Sequence, residues 1–470
     1  MAKSSVGIIG MGVMGKNLAL NIANHGYFVS VFNRSDSETM KQLFQKSIDR
    51  LFPYLSIKEF IYSLKKPRCV LLMIQSGTPI DIMIETILPF LQEGDIIVDG
   101  GNSFYKDTIK RFNFLKKKQI QFLGVGISGG EEGALTGPAI MPGGDKKAYQ
   151  IISPILKTIS AKYNQEACVK YIGPNGSGHY VKMVHNGIEY SDMQLISEAY
   201  FLLKHIAGMG NIELSNTFDK WNQGELSSYL IEITGNILRK KDIENNFIID
   251  YILDSASSKG TGLWTAKSAL DLNVPCSVIT ESVFLRYLSS LKANRMIAST
   301  ILSGPLVNKI KNFNKIVFVE DIRKALYLGK IISYAQGFSL MKRASEYYDW
   351  NLNFSNISKI FRAGCIIRAD FLNEIVQAYS SNNNIIDLLF APQFKDIINV
   401  YQISLRNIVI TAIGCGIAVP LFSSVLSYYD SYRTIDSPAN LIQAQRDYFG
   451  AHTYERIDKI GSFHTNWIDY

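Results

Sequence analysis

Residues 5–17 read Ser-Val-Gly-Ile-Ile-Gly-Met-Gly-Val-Met-Gly-Lys-Asn, and this stretch decides the fold of the N-terminal part of the chain. An apolar, β-branched run ends at Gly10, and a helical stretch over residues 16–25 follows it. A GxGxxG pattern between a strand and a helix is typical of dinucleotide binding. Gly10 allows the tight turn, Gly12 lets the backbone approach a pyrophosphate, and Gly15 lets the helix pack on the strand.

The residues that follow the second apolar run, Asn33, Arg34 and Ser35, indicate which dinucleotide is bound. An NAD enzyme places Asp or Glu here to accept hydrogen bonds from the ribose. A carboxylate would repel a 2′-phosphate, whereas Arg34 can pair with it and Ser35 can donate a hydrogen bond to it. The sequence therefore predicts NADP as the cofactor.

Strand-like runs at residues 69–74, 95–99 and 120–125 continue the pattern, and helix-length segments separate them. Such alternation predicts a parallel sheet covered by helices. From about Ser177, the expected N-cap of a helix, the chain shows long amphipathic segments instead. We therefore predict an α/β plus all-α protein with three parts: a Rossmann-like, doubly wound domain (1–177), a large all-helical domain (178–435) and an extended C-terminal tail (436–470).

The composition of the 470 residues is that of a globular chain, with 47% hydrophobic and 19% charged residues. The net charge of +8 is spread along the chain and suits an anionic ligand as well as a nucleic acid. Five scattered cysteines, never in CxxC, favour a reducing compartment and argue against a disulfide framework and a zinc site. We expect no nucleic-acid partner.

An uncharged run over residues 407–429 is long enough to raise the question of a membrane span. It contains Gly414, Gly416 and Pro420, which interrupt a helix. We therefore predict two core helices around a turn, and a cytoplasmic protein without a membrane segment.

Four polar side chains recur at helical spacing: Lys182, His185, Asn186 and Glu189. At 100° per residue they fall on one stripe about 100° wide. Neighbouring groups of this kind form a candidate site for acid–base catalysis. The alternative is a solvated face that carries a Lys–Glu pair.

Two glycine-rich segments follow predicted strands, at the edge where open sheets bind ligands. Asn102 and Ser128 offer side-chain donors, and Gly129 and Gly130 offer unobstructed backbone N–H groups. These groups suit a carboxylate or a polar substrate.

A third segment, residues 254–265, combines Lys259 and Thr261 with permissive glycines. This combination suits a phosphate, although a capped loop would look similar. No metal site is predicted, because His179 and His185 are off the i, i+4 spacing and no carboxylate cluster accompanies them.

Residues 6–19, 128–133, 178–190 and 259–265 together resemble the decarboxylating 6-phosphogluconate dehydrogenase family. The first segment is shared with all β-hydroxyacid dehydrogenases, whereas the other three are highly specific. The similarity continues to residues 440–452, so it covers essentially the whole chain. It implies oxidative decarboxylation of 6-phospho-D-gluconate to D-ribulose 5-phosphate and carbon dioxide, with reduction of NADP and without a metal. It also makes the helical part a substrate and dimerisation domain.

The resemblance implies a role for individual residues. Lys182 is the general base that takes the C3 hydroxyl proton, and Glu189 is the acid that helps to protonate C1 of the enediol. The implied substrate-binding residues are Asn102, Ser128, Gly129, Gly130, His185, Asn186, Tyr190, Lys259, Thr261, Arg286, Arg446 and His452. The implied cofactor-binding residues are Gly10, Met11, Gly12, Val13, Met14, Gly15, Asn33, Arg34, Ser35, Ile74, Gln75, Ser76 and Asn102.

In this family the tail threads into the partner subunit. The resemblance therefore implies a homodimer in which Arg446 and His452 complete the site of the other protomer. One departure from the family is Ile74-Gln75-Ser76, where Val-Lys-Ala is usual. The charge that this lysine contributes to NADP affinity is absent here.

A lysine base raises a question of magnitude. Deprotonating a lysine of ordinary pKa ~10.4 at pH 7 costs about 4.6 kcal/mol. We therefore expect burial and neighbouring cations to depress the pKa of Lys182.

Three other functions compete with this interpretation. A smaller β-hydroxyacid dehydrogenase with an unphosphorylated substrate would need neither the Lys259 segment nor the long helical region. A catalytically silent sensor of sugar phosphates or NADP would not need both Lys182 and Glu189. RNA binding finds little support in the scattered charge.

Overall fold

The structure is a computed structural model that describes residues 4–34, 49–258, 260–305 and 314–468. Its strands are β1 (Val6–Ile9), β2 (Val29–Phe32), β3 (Leu51–Tyr54), β4 (Cys69–Leu72), β5 (Ile96–Asp99), β6 (Gln121–Ser128), β7 (Ala139–Gly144), β8 (Lys162–Tyr163), β9 (Glu166–Ala167), β10 (Tyr454–Glu455) and β11 (Ser462–Phe463).

The helices of the N-terminal part are α1 (Val13–Asn24), α2 (Ile57–Tyr62), α3 (Thr78–Ile87), α4 (Tyr105–Lys117), α5 (Gly130–Thr136) and α6 (Lys146–Ile159). Those that follow are α7 (Ser177–His205), α8 (Asn211–Trp221), α9 (Tyr229–Arg239), α10 (Thr261–Asp271), α11 (Ser277–Ser290), α12 (Lys292–Ile301), α13 (Lys315–Tyr347), α14 (Phe354–Phe361), α15 (Leu372–Ser381), α16 (Pro392–Gly414), α17 (Pro420–Tyr432) and α18 (Ala439–Gly450). Short 3₁₀ helices cover Leu88–Phe90, Ile248–Tyr251 and Leu388–Phe390.

The main sheet has seven strands in the order β3-β2-β1-β4-β5-β6-β7. All neighbours pair in parallel except β6 and β7, which are antiparallel. The order in which strands are added to the sheet reverses between β1 and β4, and open α/β sheets bind ligands at such a switch point. The fold class predicted from the sequence is confirmed, although β3 and β7 were not predicted.

The strands form because both faces of the sheet are buried. Ile8 contributes to an apolar cluster with α1 and α6, whereas Ile9 faces a second cluster with α2 and α3. A strand buried on both faces reads as a continuous apolar run, which is the pattern that the sequence shows.

Helix α7 lies directly on the carboxyl-terminal half of β6, because glycines meet at the contact. A Cβ on Gly126 would lie 2.4 Å from the Lys182 Cβ, and a Cβ on Gly178 would lie 2.4 Å from the Gly124 carbonyl oxygen. The N-cap of this helix is Gly176, and the Ser177 hydroxyl is buried without a hydrogen-bond partner. The predicted capping role of Ser177 is therefore wrong.

The opposite side of α7 packs against α13 in the helical part. Gly337 of α13 leaves room for Ile188, since a Cβ there would lie 2.6 Å from that side chain. A buried ion pair joins the same two helices: the Lys330 ammonium lies 2.7 and 2.5 Å from the two Asp192 carboxylate oxygens. Helix α7 is thus held between the sheet and the helical bundle.

The uncharged run at residues 407–429 spans the end of α16, a turn and most of α17, as predicted. By length and composition α16 is the one described helix that can cross a membrane, with 33% of its most apolar window buried. Core helices of soluble proteins meet the same criterion.

The tail consists of α18 and a small hairpin of β10 and β11. Its centre is the Asp447 carboxylate, which accepts hydrogen bonds from the Thr453 and Thr465 backbone and from the Trp467 indole. The His464 ring lies 2.9 Å from the same carboxylate. The tail therefore has a local fold of its own around one acidic side chain.

Candidate active site

The glycine loop between β1 and α1 has the geometry of a dinucleotide site. Gly10 has φ +102°, and a Cβ on Gly15 would lie 1.9 Å from the Gly10 carbonyl oxygen, so both positions require glycine. A Cβ on Gly12, by contrast, would meet nothing within 4 Å. Gly12 is also the N-cap of α1 and has no side-chain cap, so the first N–H groups of the helix face this open side. Met11, Val13 and Met14 complete the loop.

Asn33 and Arg34 follow β2 at the same edge of the sheet. The Asn33 side-chain oxygen accepts a hydrogen bond from the Met11 N–H at 3.3 Å, which joins the end of β2 to the glycine loop. Arg34 is exposed, as a residue that meets a ligand phosphate needs to be. Ser35, the third predicted residue of this set, lies outside the described residues.

Residues 74–76 follow β4 and lie next to the glycine loop. A Cβ on Gly10 would lie 2.4 Å from the Met73 carbonyl oxygen, so the two loops touch. Gln75 is exposed, while Ile74 and Ser76 are half-buried.

The four polar residues predicted to share one face of α7 do lie together. The Lys182 ammonium donates to the Asn186 side-chain oxygen at 2.8 Å and lies 3.4 Å from His185 Nδ1. His185 Nδ1 is 3.8 Å from a Glu189 carboxylate oxygen. The face is not solvated, since Lys182 is only 6% exposed and His185 is fully buried. This excludes the alternative of a solvated helix face.

The hydrogen bonds favour one tautomer of His185. Nδ1 lies 3.1 Å from the Asn186 side-chain oxygen, which can only accept, so Nδ1 carries the proton. Nε2 then accepts from the Ser128 hydroxyl at 3.4 Å. Burial and the nearby Lys182 hold the pKa of His185 well below its ordinary value, which keeps the ring neutral.

Burial shifts the pKa of the lysine and that of the carboxyl in opposite directions. It lowers the pKa of Lys182, although the Glu189 carboxylate opposes this shift. It raises the pKa of Glu189, although Lys182 and Arg286 oppose that shift. The depressed pKa of Lys182 agrees with expectation, but its cause is burial alone, because the neighbouring imidazole is neutral. The expectation that neighbouring cations contribute is wrong.

The ends of β5 and β6 bring further polar groups to the same place. Asn102, with φ +52°, is fixed to β6 by hydrogen bonds between its amide and the backbone of Ile127. Ser128 is buried beside His185. Gly129 and Gly130 begin the segment after β6, and a Cβ on Gly130 would meet nothing within 4 Å. The backbone at Gly130 is open to a ligand, whereas a Cβ on Gly129 would lie 2.7 Å from the Gly364 carbonyl oxygen.

Tyr190, the residue after Glu189, forms a second group with Thr261 and Arg286. The Arg286 guanidinium lies over the Tyr190 ring, 3.8 Å from its centroid, and donates to the Ser257 carbonyl oxygen at 2.9 Å. Thr261 opens α10, and its neighbour Gly262 packs against the Tyr190 ring. Lys259 lies outside the described residues.

The tail residues Arg446 and His452 are exposed, and each contacts another residue of the tail. Arg446 donates to the Gln443 side-chain oxygen at 3.0 Å, and the His452 ring packs near Phe449. Within one chain, therefore, the structure does not bring these two residues to the Lys182 cluster.

The sequence interpretation missed Arg111, which is buried beside the loops that follow β4 and β5. An arginine within an amphipathic helix has no local signature that distinguishes it from a surface residue. In the described part of the chain, no three His, Cys, Asp or Glu side chains are grouped so that they could hold a metal ion.

Comparison with known protein families identifies the arrangement. The NAD binding domain of 6-phosphogluconate dehydrogenase matches residues 5–173, and the 6-phosphogluconate dehydrogenase C-terminal domain matches residues 178–467. The chain belongs to the 6-phosphogluconate dehydrogenase family. The resemblance seen in the sequence is confirmed.

Individual relatives match along their whole length. A decarboxylating 6-phosphogluconate dehydrogenase from Buchnera aphidicola subsp. Schizaphis graminum is 61% identical, over 100% of this chain and 99% of the relative. The Escherichia coli K12 enzyme of the same name is 57% identical over 100% of both chains. These relatives confirm the enzyme class that the sequence motifs imply.

A solved structure of Plasmodium falciparum 6-phosphogluconate dehydrogenase superposes with a TM-score of 0.95. It is 45% identical, and the match covers 98% of this chain and 100% of that one. That enzyme was determined in its apo form, with its cofactor NADP+ and with its substrate 6-phosphogluconate. The match confirms the fold class.

The lowered pKa of Lys182 predicts how stability depends on pH. Folding lowers this pKa from its ordinary 10.5, so the buried charged amine destabilises the fold: the penalty is full below the folded-state pKa and shrinks as the pH rises from there to 10.5. Lys182→Met should therefore raise the thermal midpoint near pH 7, and the gain should shrink as the pH approaches 10.5. Midpoints measured from pH 7 to pH 10 check this.

Lys204 on the same helix is the matched control, because a hydrogen bond with Asp250 raises its pKa. Its contribution to stability is present below pH 10.5 and is lost as the pH rises through the raised pKa. Lys204→Met should thus lower the midpoint near pH 7. A Lys182→Met difference that is independent of pH contradicts the burial argument.

Proposed function

We propose that this protein catalyses the NADP-dependent oxidative decarboxylation of 6-phospho-D-gluconate to D-ribulose 5-phosphate and carbon dioxide. The observation that carries the proposal is the buried lysine at the carboxyl edge of a dinucleotide-binding sheet. Lys182 lies 2.8 Å from Asn186 and on the same helix face as Glu189, whose pKa burial raises. The name and full-length match of the relatives support the same substrate and cofactor.

Lys182 acts as the general base for oxidation. Its depressed pKa increases the fraction of neutral amine near pH 7, and this amine takes the proton of the C3 hydroxyl. NADP, when bound, would supply the acceptor for the hydride that leaves C3. The ammonium that forms then donates a hydrogen bond to the C3 carbonyl oxygen, where negative charge develops as the carboxyl group leaves.

Glu189 acts as the acid that completes the reaction. Burial raises the pKa of its carboxyl, which favours the protonated form that can deliver a proton to C1 of the enediol. His185 stays neutral, with its Nδ1–H directed at Asn186, so it can position the substrate without competing for protons.

The remaining predicted residues hold the two ends of the substrate. Asn102, Ser128, Gly129 and Gly130 surround the acid end, and Asn186 lies beside them. Tyr190, Thr261, Arg286 and Lys259 form the phosphate end, where Arg286 supplies a positive charge held against an aromatic ring. A bidentate guanidinium is suited to a phosphate.

The glycine loop fits the cofactor, because Gly12 leaves open space and α1 presents unpaired N–H groups to the pyrophosphate. Asn33, Arg34 and Ser35 would select NADP through its 2′-phosphate, and residues 74–76 would contact the cofactor next to Asn102. We propose the domain division 1–177, 178–435 and 436–470, in which the first part binds the cofactor and the substrate lies between its strand ends and the helical part. We place the enzyme in the cytoplasm, with a metal-independent reaction, no nucleic-acid partner and no membrane segment.

The proposal is tested by absorbance at 340 nm with 6-phosphogluconate and NADP, in a chelator, while carbon dioxide is trapped. NADPH and carbon dioxide should appear in equal amounts, and faster with NADP than with NAD. Lys182→Ala and Glu189→Gln should each lower kcat about 10²–10⁴-fold, which is the range for loss of an acid–base group. Lys204→Ala, on the same helix but outside the site, should leave kcat within twofold. Near-normal turnover of Lys182→Ala, or silence of the folded wild type, contradicts the proposal.

The homodimer with exchanged tails is the second part of the proposal. Arg446 and His452 are exposed in a tail that folds around Asp447, so they are free to enter the site of a partner. Mixing Lys182→Ala with Arg446→Ala, each inactive alone, should restore about a quarter of the wild-type activity. Half of the dimers are then mixed, and each has one intact site out of two.

A mixture of Lys182→Ala with Glu189→Ala is the control. Both substitutions lie on α7 and not in the tail, so no dimer of these chains contains an intact site. Recovery in this control, or no recovery in the Lys182→Ala and Arg446→Ala mixture, counts against tail exchange.

A further inference from the structure

Arg111 on α4 joins two loops that approach the candidate active site. Its side chain is buried, with the residue only 5% exposed. Nε and one terminal nitrogen donate to the two Asp81 carboxylate oxygens at 2.6 and 3.0 Å. The same terminal nitrogen donates to the Gly77 carbonyl oxygen at 2.9 Å, and the other donates to an Asp99 carboxylate oxygen at 3.3 Å. One guanidinium thus donates to four oxygen atoms on three residues.

The three residues lie in or beside two loops: the loop after β4, which we assign to the cofactor, and the loop after β5, which we assign to the substrate. Gly77 closes the segment after β4, whose residues 74–76 are the proposed cofactor contacts, and Asp81 lies on the helix that follows. Asp99 ends β5 and accepts hydrogen bonds from the Gly101 N–H at 3.0 Å and the Ser103 hydroxyl at 2.7 Å. Gly101 and Ser103 flank Asn102, the proposed substrate contact.

The two loops also touch each other directly. A Cβ on Gly101 would lie 2.7 Å from the Ile74 carbonyl oxygen, and a Cβ on Gly100 would lie 2.6 Å from the Met73 sulfur. With no room for a side chain between them, the two loops pack in direct contact.

Helix α4 also contacts α7, the helix that carries Lys182. The Thr108 hydroxyl, one turn before Arg111, lies 2.7 Å from Nδ1 of the buried His179 on α7. His179 is one turn before Lys182. The helix that carries Arg111 is therefore fixed both to the two loops and to the helix that carries the proposed base.

We propose that Arg111 is a positioning residue that couples the cofactor loop (residues 74–77) to the substrate loop (residues 99–103). Its charge holds both loops through charged hydrogen bonds, so a change in one loop alters ligand binding at the other. The inference rests on the proposed function, since it assigns NADP to one loop and 6-phosphogluconate to the other.

The chain offers a matched control in a second buried arginine of the same sheet. Arg68 donates from its backbone N–H and its guanidinium to Asp95, at 2.7 and 2.9 Å. This pair precedes β4 and β5, at the amino edge of the sheet, away from both loops. Arg68→Met removes a comparable ion pair and reports the effect of lost stability alone.

The decisive variant is Asp81→Asn. The Asp81 carboxylate is half exposed and accepts hydrogen bonds from Arg111. Because water can solvate the replacement amide, Asp81→Asn should fold. Asp81 is not among the proposed substrate contacts, yet Asp81→Asn should raise KM for 6-phosphogluconate about threefold or more, together with KM for NADP. Arg111→Met should raise both KM values about tenfold, the scale of a lost charged hydrogen bond.

A double-mutant cycle isolates the route of the effect. In the Arg111→Met background, Asp81→Asn should change neither KM value further, because the connection is already broken. Arg68→Met should lower the thermal midpoint but leave both KM values within twofold. If Arg111→Met does not fold, the two KM values of Asp81→Asn still test the coupling between the loops.

An Asp81→Asn enzyme whose KM rises for NADP alone overturns the coupling. So do additive effects of Asp81→Asn and Arg111→Met, or an Arg111→Met enzyme that only loses thermal stability. An inactive wild-type protein contradicts the proposed function instead, which separates the two failures.

Discussion

The close contact between α7 and β6 is the constraint on which the rest of the site depends. Gly126 leaves no space between the strand and Lys182, and Gly178 brings the start of the helix against the strand backbone. A long, flexible lysine is thereby buried against the carboxyl-terminal half of β6. Any side chain at Gly126 would push the helix, and the amine with it, away from the sheet.

Burial then shifts the pKa values of the two residues that we propose as base and acid. A charged ammonium and a carboxylate both lose hydration in this position, so the pKa of Lys182 falls and that of Glu189 rises. Each shift moves its group toward pH 7, where a base and an acid are most effective. His185 remains neutral between them and Ser128. Burial is therefore the largest cause of the pKa shift of each of these three groups.

Much of this arrangement is predictable from the sequence because it is local. The GxGxxG pattern fixes a strand, a turn and a helix within a dozen residues, and the Lys182–Glu189 stripe follows from helical periodicity alone. Strands β3 and β7, which lie at the two edges of the sheet, were missed because residues 51–54 and 139–144 are not continuous apolar, β-branched runs. Pro53 and Pro142 lie in these strands and weaken the sequence signal further.

Other features depend on contacts between segments far apart in the sequence. Burial of the stripe against β6 could not be read from α7, which is why a neighbouring cation was expected to help depress the lysine pKa. The hydrogen bonds of Arg111 likewise join α4 to Gly77 and Asp81 at the start of α3, and to Asp99 at the end of β5. These elements become neighbours only in the folded chain. Ser177 has the residue type of an N-cap, but the glycine before it takes that position and leaves the hydroxyl inside the core.

Titration of the Lys182 amine shows directly whether burial alone depresses its pKa. The free protein and Lys182→Met can be labelled with ¹³C on lysine, so that the missing signal identifies Lys182 during an NMR titration. We expect the titration midpoint of Lys182 to lie below the ordinary 10.5 of lysine. In Gly126→Ala, where the helix is displaced, the midpoint should move back toward 10.5. A Lys182 midpoint at or above 10.5 in the unmodified protein would contradict this expectation.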